Sequence, residues 1–585
     1  MNENKRIFLT GALIAGLLLI TPYYLQLIGL QPVEENSLSS TENIEKLETV
    51  SSVKPKINKK TNKSLYINEK ENKELLLNIK TSSLDLMLSN SGGGAIKKAT
   101  LLASGDDSYK YLGGFNENDV YEDSINVSLI LNPSNCAPCL SSAEEEIYDL
   151  PFSVVSVNGR EAFNNETFSV QGEDSLTVVM SFVDNNIEIT KKTVFYGGGY
   201  VINHEFFIEH SKYKDFFVSW EGGLRPTEKD RSFELSQYTM GYVGQEKNIE
   251  SLSYLPSSLS DDSERNNFKG KTDWVAIRNK YFINALIAPS ALGGYLEASP
   301  FSSASNDVLP EYSAGLEFKN QNNISFSQFL GPLDVDHILK TNTYLDRVMN
   351  FGWVVVQPIS RSILWLLKAL HSVGLNYGVV LIVFALLIRV VTGPLTKKSH
   401  ESSQNMQKIQ PKIKKIQTKY KNDSQKMNKE IMKLYTESGV NPLGGCLPML
   451  IQMPLLFSLF IVFRSTIEFR GASFMLWINN LSQPDAVLDL PFHIPIYGSQ
   501  VAVLPVFLGL SMFLSQKLSM ATMDPKQKPM MYIMSGFFFL LFNQFPSGLN
   551  LYYMVYNLLN YQQQKAMRGG NSSGGASMFA SFGKK

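Results

Sequence analysis

The sequence predicts a multi-domain membrane protein, an α-helical body of several spans joined to a large all-β domain outside the cytoplasm, and three observations lead there. Apolar segments of membrane length alternate with basic connectors from Tyr377 onward, and about 20 apolar residues suffice to cross a bilayer. Short runs that alternate apolar with polar residues, bounded by Gly, Asn and Asp, fill positions 64–342; that is a strand signal. The formal net charge is zero, yet positions 31–350 carry sixteen more acids than bases and the remainder sixteen more bases than acids. An acidic soluble part and a basic membrane part thus share 585 residues, a length that calls for two or three folding units.

At the N-terminus, Lys5 and Arg6 precede an apolar stretch from Ile7 to Leu30 that no small-x-small cleavage site follows, so positions 1–30 read as an uncleaved transmembrane anchor. Positions 31–63, rich in Ser, Glu, Asn and Lys, lack the apolar residues to bury a core and read as a flexible tether. Within 64–342 the runs Leu176–Val183, Ile187–Tyr196, Tyr200–Ile208 and Phe216–Trp220 predict strands. Helix patterns are scarce there, so an antiparallel sandwich of two sheets is expected, each burying one face against the other.

Three cysteines are too few for a disulfide-built scaffold. Cys136 and Cys139 form a C-x-x-C without a thioredoxin-like βαβ context, which reads as a local disulfide or two idle thiols. His204 and His210, near Glu205 and Glu209, suggest either a metal or acid–base pair or a satisfied structural role, the latter being favoured. Gly92–Gly94 and Gly197–Gly199 follow no nucleotide-binding spacing and read as turns. No metal, cofactor or DNA partner is expected.

Apolar residues from Leu345 to Leu370 recur near helical spacing among Arg347, Gln357, Arg361 and Lys368, so positions 343–373 predict an amphipathic helix lying at the interface. Five spans follow within 374–565, at Tyr377–Leu395, Cys446–Phe463, Val501–Gln516, Met530–Phe545 and Leu549–Tyr561. Connector 397–440 has a net charge of +7 and connector 464–500 of −1, while Lys517, Lys526 and Lys528 and the tail 566–585 with Arg568, Lys584 and Lys585 are basic again. Short cytoplasmic connectors retain Lys and Arg. Both termini are therefore expected in the cytoplasm and the β-domain is expected to be translocated.

Inside connector 397–440, Met406, Ile409, Ile413, Ile416 and Tyr420 step by three and four, and Met427, Ile431 and Leu434 repeat the seam after a polar break. Two antiparallel helices would form a cytoplasmic hairpin there. Its lysines, among them Lys412, Lys414, Lys415 and Lys419, suit anionic lipid headgroups or the phosphates of ribosomal RNA, and they equally serve as a solvated face that satisfies the orientation rule.

The chief functional suspect is Arg389, a lone cation in the apolar run Tyr377–Leu395, where charge is costly unless water or a partner receives it. Composition alone leaves two readings open, a functional buried cation or a side chain that snorkels toward Lys397, roughly 12 Å along the helix at about 1.5 Å per residue.

The segments RVVTGPLTKK (Arg389–Lys398), Gln410–Lys412, NPLGGCLPMLIQMP (Asn441–Pro454) and FPSGLNLYY (Phe545–Tyr553) resemble the membrane core of the YidC family of membrane protein insertases. The likeness covers roughly positions 343–565, and an N-terminal span followed by a large translocated domain is similar to the family's Gram-negative branch. The resemblance implies a periplasmic β-supersandwich and a five-span insertase core enclosing a water-filled groove, with Arg389 as the groove cation. One departure is visible: Ala385 stands one turn before the arginine, where a hydroxyl is carried elsewhere in the family.

The resemblance also implies a greasy slide for emerging segments, formed by Met449, Met453, Leu456, Phe457 and Phe460 with Met530, Met534, Phe537, Phe538 and Leu541, although ordinary helix packing explains the same spacing. Pro448 and Pro454 would kink that span, opening room for a visiting segment or fitting a neighbour. The expected function is therefore insertion and chaperoning of nascent membrane proteins in the inner membrane, not enzymatic catalysis, with the ribosome, the Sec translocon and anionic lipids as partners. A transporter predicts coupled acids at mid-membrane depth, and 446–463, 501–516 and 530–561 contain no Asp or Glu. A carbohydrate-binding or epimerase-like activity of the β-domain rests on fold analogy alone.

Overall fold

The computed structural model describes residues 74–569 except 103–106, 135, 143–151, 185–186, 210, 212, 246–247, 254–262, 303–307, 422, 440–446, 495 and 521–527. The expected anchor 1–30, the tether 31–63 and the tail from 570 onward, as well as His210 and Cys446, lie outside the described residues.

The β-domain begins with β1 (Leu76–Lys80), β2 (Leu84–Ser89) and β3 (Ala95–Leu101), followed by β4 (Leu112–Phe115), β5 (Tyr121–Asn126) and β6 (Cys139–Ser142). Next come β7 (Ser153–Val157), β8 (Glu166–Ser169), β9 (Ser175–Asp184), β10 (Ile187–Tyr196), β11 (Val201–Glu209) and β12 (Asp215–Trp220). A short helix α1 (Arg231–Gln237) precedes β13 (Met240–Gln245), β14 (Asn248–Leu252), β15 (Glu264–Arg278), β16 (Phe282–Ser302), β17 (Val308–Lys319) and β18 (Asn323–Pro332). The four strands read from the sequence therefore fall where β9 to β12 stand. Their alternation is visible in β10, where Ile187, Ile189, Lys191, Thr193 and Phe195 turn inward and the residues between them outward.

A four-stranded sheet of order β3-β2-β1-β8 accompanies a twelve-stranded one. The expectation of two facing sheets is thereby refined, because the large sheet branches. β15 pairs along one edge of β16, and on the other edge β16 pairs with β18 over Phe282–Ile287 and with β17 over Gly293–Ser302, so one long strand feeds two arms, β18-β11-β10-β9-β7 from its first part and β17-β12-β6 from its second. Strands that change neighbours in this way make the corners of packed sheets. Trp220, Trp274, Phe206, Phe216 and Tyr312 are buried in the resulting core.

The core fits closely at Gly244, where an added Cβ would overlap the indole of Trp274. Gly244→Ala is expected to destabilise the domain by about 1–3 kcal/mol, the cost of overpacking. Chemical denaturation of the full-length protein checks this, and an unchanged midpoint would contradict it.

Inside the domain, Cys136 and Cys139 form a disulfide, which resolves the two sequence readings. His204 is buried, with Nδ1 3.2 Å from Thr193 Oγ1, Nε2 3.2 Å from Gln328 Oε1 and its ring stacked on Phe326. Its role is structural, as favoured from the sequence. The neighbouring Lys191 donates to the carbonyls of Gly94 and Pro138, each at 2.9 Å, and burial pushes its ammonium down to about 7.

Helix α2 (Val335–Ile338) leads to the helical body: α3 (Val356–His371), α4 (Tyr377–Lys419), α5 (Ser424–Glu437), α6 (Leu447–Ser465), the hairpin strands β19 (Ala486–Ile494) and β20 (Gly498–Ala502), α7 (Leu504–Met520), α8 (Lys528–Phe542) and α9 (Ser547–Gly569). Three expectations are corrected here. The amphipathic segment is not one helix: a 3-10 turn at Tyr344–Val348 is separated from α3 by a bend through Gly352, whose φ of 91° suits glycine. The first span and the first helix of the hairpin are one continuous helix, α4, which runs through Pro394 and Pro411. Val501 belongs to strand β20, so the third apolar segment becomes helical only at Leu504. Among the described residues, the stretch Tyr377–Pro394 is long and apolar enough by itself to cross a membrane.

Candidate functional site: a buried polar seam and a charged latch

α4 carries Arg389 into the interior of the helical body, where α9 packs against α4 and α7. The residue is 8% exposed, and its guanidinium lies 5.7 Å over the ring of Tyr556 of α9. One nitrogen, Nη1, donates to Thr396 Oγ1 at 3.4 Å, two turns toward the basic end of the helix, the direction that snorkelling requires. Nε and Nη2 have no hydrogen-bond partner within the protein. Ala385 is fully buried and supplies no hydroxyl.

The arginine is not isolated. Thr392 Oγ1 donates to the Ile388 carbonyl at 2.8 Å and sits 3.5 Å from the Tyr556 hydroxyl, Gln563 donates to the Gly393 carbonyl at 3.5 Å, and Asn560 donates to Ser515 of α7 at 3.1 Å. Asn560 Oδ1, Gln563 Oε1, Gln564 Oε1 and the Tyr553 hydroxyl share with the arginine the property of being buried without a partner. Buried polar groups nearly always find a partner in protein or water, and with Asn550 Oδ1, near the start of α9, six residues on α4 and α9 carry such atoms. Sequence reasoning missed Asn560, which sits one residue before the end of the last apolar run, and Gln563 and Gln564, which follow that run. The signal was present as NLLNYQQQ, a polar run at helical spacing in continuation of that run.

The expected slide residues are distributed over two helices. Met453, Leu456, Phe457 and Phe460 are half-buried on α6, and Phe537, Phe538 and Leu541 are half-buried on α8. The side chains of Met449, Met530 and Met534 lie outside the described residues. An aromatic chain joins the two rows: Phe460 is 5.0 Å from Phe545, Phe545 is 5.1 Å from Phe542, and Phe542 is 6.0 Å from Phe538. Phe457 instead packs edge-on to Trp353 at 5.6 Å, in front of α3. In the hairpin, Ile409 and Ile413 are buried, whereas Lys412, Lys414, Lys415 and Lys419 are all exposed.

A second polar centre joins the β-domain to the helical body, and it was not read from the sequence. Arg470, just beyond α6 and 2% exposed, donates to Glu228 at 3.0 Å and to the carbonyls of Lys110, Leu112, Gly113 and Thr227 at 2.7, 2.7, 2.8 and 3.0 Å. Glu228 also pairs with Lys280 at 3.5 Å. Two residues earlier, Glu468 meets Lys110 at 2.7 Å and Lys368 of α3 at 3.2 Å. Burial pushes the carboxyls of Glu228 and Glu468 up, but the facing cations outweigh it and hold both below the ordinary carboxylate value.

Residues 369–573 match the family model described as 60Kd inner membrane protein, and residues 140–366 match that described as YidC periplasmic domain. The membrane protein insertase YidC of Chloroherpeton thalassium is 37% identical over 421 residues, which are 68% of this chain and 70% of that protein. That of Chlorobium phaeovibrioides is 36% identical over 425 residues, 70% of this chain and 69% of the relative. A crystal structure described as an active YidC insertase with its first transmembrane domain resolved is similar at 17% identity with a TM-score of 0.33, over 84% of this chain and 92% of that one.

Proposed function

The chain belongs to the YidC family of membrane protein insertases, and from that premise we propose that its buried polar seam is the wetted path through which it moves the polar parts of nascent membrane proteins. As an insertase of the inner membrane it acts on nascent membrane proteins. The observation that carries the finer reading is the cluster of unpartnered buried polar atoms on Arg389, Tyr553, Asn560, Gln563 and Gln564. Taking a peptide chain across about 30 Å of hydrocarbon is prohibitive, because each unpaired amide costs several kcal/mol. Water drawn into the seam by these atoms shortens the dry distance. Arg389, protonated at any physiological pH, receives the carboxylates of a translocated tail for a time.

In this reading α4, α6, α7, α8 and α9 are the five spans, the apolar residues of α6 and α8 receive the emerging hydrophobic segment, and burial of that segment in lipid drives the step. The anchor at 1–30 is the sixth span and the tether 31–63 links it to the β-domain. The alternation of basic and acidic connectors supports cytoplasmic termini, a periplasmic β-domain and a cytoplasmic hairpin formed by the end of α4 with α5. The exposed Lys412, Lys414, Lys415 and Lys419 offer that hairpin to ribosomal RNA or anionic headgroups, and the protein acts alone or with the Sec translocon.

Photo-crosslinking tests the path. A photoreactive residue at Met453 or Phe538 is expected to capture ribosome-bound nascent membrane proteins, and one at Trp365, which is 69% exposed on α3, is not. Absence of adducts at both slide positions in an insertion-competent preparation would contradict the slide.

A further inference from the structure

The hairpin β19–β20 forms a two-stranded sheet of its own, and such a hairpin is at best marginally stable in water. This one turns its large apolar side chains outward. Val487 is 57% exposed, Leu488 59%, Phe492 60% and Ile496 43%. From Ala486 to Ala502 the sequence contains one formal charge, Asp489. A contiguous apolar patch of this kind on a connector marks an interaction surface.

Its attachment says what covers it. Asn543, at the end of α8 and almost fully buried, donates to the carbonyls of Tyr497 at 2.8 Å and Gln500 at 2.6 Å and accepts from the Ala502 amide at 3.0 Å. Gln544 donates to the Ile496 carbonyl at 2.8 Å. On the other side Asp485 accepts from the amides of Val503 and Leu504 at the start of α7 at 3.2 and 2.7 Å, and from the Trp477 indole at 2.8 Å. The hairpin is thus fixed to the adjoining ends of α7 and α8, and its apolar exposure continues directly into Val506, Phe507 and Leu510 on the outer face of α7. Tyr497 over Phe539 and Trp477 over Phe507 stand at that junction, where amphipathic aromatics favour the boundary between headgroups and acyl chains.

We propose that the β19–β20 hairpin is an interfacial float: it lies in the headgroup–acyl boundary of the leaflet at the outer ends of α7 and α8, with Leu488, Phe492 and Ile496 among the lipids. The partner is the lipid surface itself. A nearly uncharged strand pair meets it through burial of apolar area, and the bonds of Asn543 and Asp485 transmit that position to both spans. The inference rests on the reading that α7 and α8 are embedded in lipid.

The test uses the full-length protein with Cys446→Ser, reconstituted in phosphatidylethanolamine–phosphatidylglycerol vesicles and carrying an environment-sensitive dye on Phe492→Cys. Val506→Cys serves as the reference for lipid and Glu173→Cys, exposed in the β-domain, as the reference for water. The expected result is emission at position 492 blue-shifted from that at 173, quenched by lipids labelled near the headgroup and shielded from aqueous iodide. Leu488→Cys guards against a local effect of the first substitution and should behave alike. If 492 and 488 are quenched by iodide, or by neither quencher, while 506 is quenched by lipid, the float is wrong and the embedded spans stand. If 506 is not quenched by lipid either, the reading of α7 as a span fails with it.

Discussion

Replacing Arg470 with alanine is expected to cost about 3–5 kcal/mol of stability, the range for breaking a buried ion pair by removing one partner, and to loosen the β-domain from the helical body. Five acceptors converge on this guanidinium from two segments of the β-domain, 110–113 and 227–228, and it is 2% exposed. After truncation Glu228 keeps Lys280 at 3.5 Å, but four backbone carbonyls lose their donor in a site that water does not reach freely. Arg470→Lys is expected to recover little, because an ammonium cannot spread donors over the planar fork that these carbonyls fit. The check is thermal unfolding together with limited proteolysis between the domain and α3. A midpoint unchanged within about 0.5 kcal/mol, the scatter of inert surface substitutions, would contradict the latch.

Arg389→Ala is expected to slow insertion of substrates with acidic translocated tails roughly tenfold and to leave substrates with neutral tails nearly unaffected. Two unit charges about 4 Å apart attract by about 1 kcal/mol in bulk water and about 4 kcal/mol at a partly buried site, and about 1.4 kcal/mol is a factor of ten. Because the side chain also stacks on Tyr556, alanine removes packing as well as charge. Arg389→Lys restores the charge without the guanidinium and is expected to rescue most of the rate. Insertion of radiolabelled nascent chains into proteoliposomes, compared across tails of differing acidity, measures this. Equal rates for wild type and Arg389→Ala on acidic tails would remove the electrostatic role.

The features legible in the sequence were those set by local pattern. Period-two alternation placed β9 to β12, and the lone charge in an apolar run singled out Arg389. The branching of the large sheet through β16 was not legible, because it depends on pairing Phe282–Ile287 with one strand and Gly293–Ser302 with another, a choice that lies in tertiary contacts. The latch escaped for the same reason. Glu468 and Arg470 stand in a connector, where charges ordinarily face solvent, and their partners Lys110 and Glu228 lie 358 and 242 positions away. The continuity of α4 through Pro394 overrode the stop that proline and a basic run suggest. Gln563 was passed over because it lies beyond the apolar run ending at Tyr561, although α9 continues to Gly569, and Asn560 because a single amide near the end of an apolar run carries no pattern of its own.

Water at Arg389 is what the proposed path requires, and cysteine accessibility measures it most directly. With Cys446→Ser and the Cys136–Cys139 disulfide intact, Arg389→Cys and Asn560→Cys are each treated in sealed inverted vesicles with a membrane-impermeant charged thiol reagent. The account predicts that both are labelled, and that a cysteine at Leu510, exposed on the outer face of α7, is not. Failure of positions 389 and 560 to react, while the same thiols label fully after denaturation, would mean that the seam is dry.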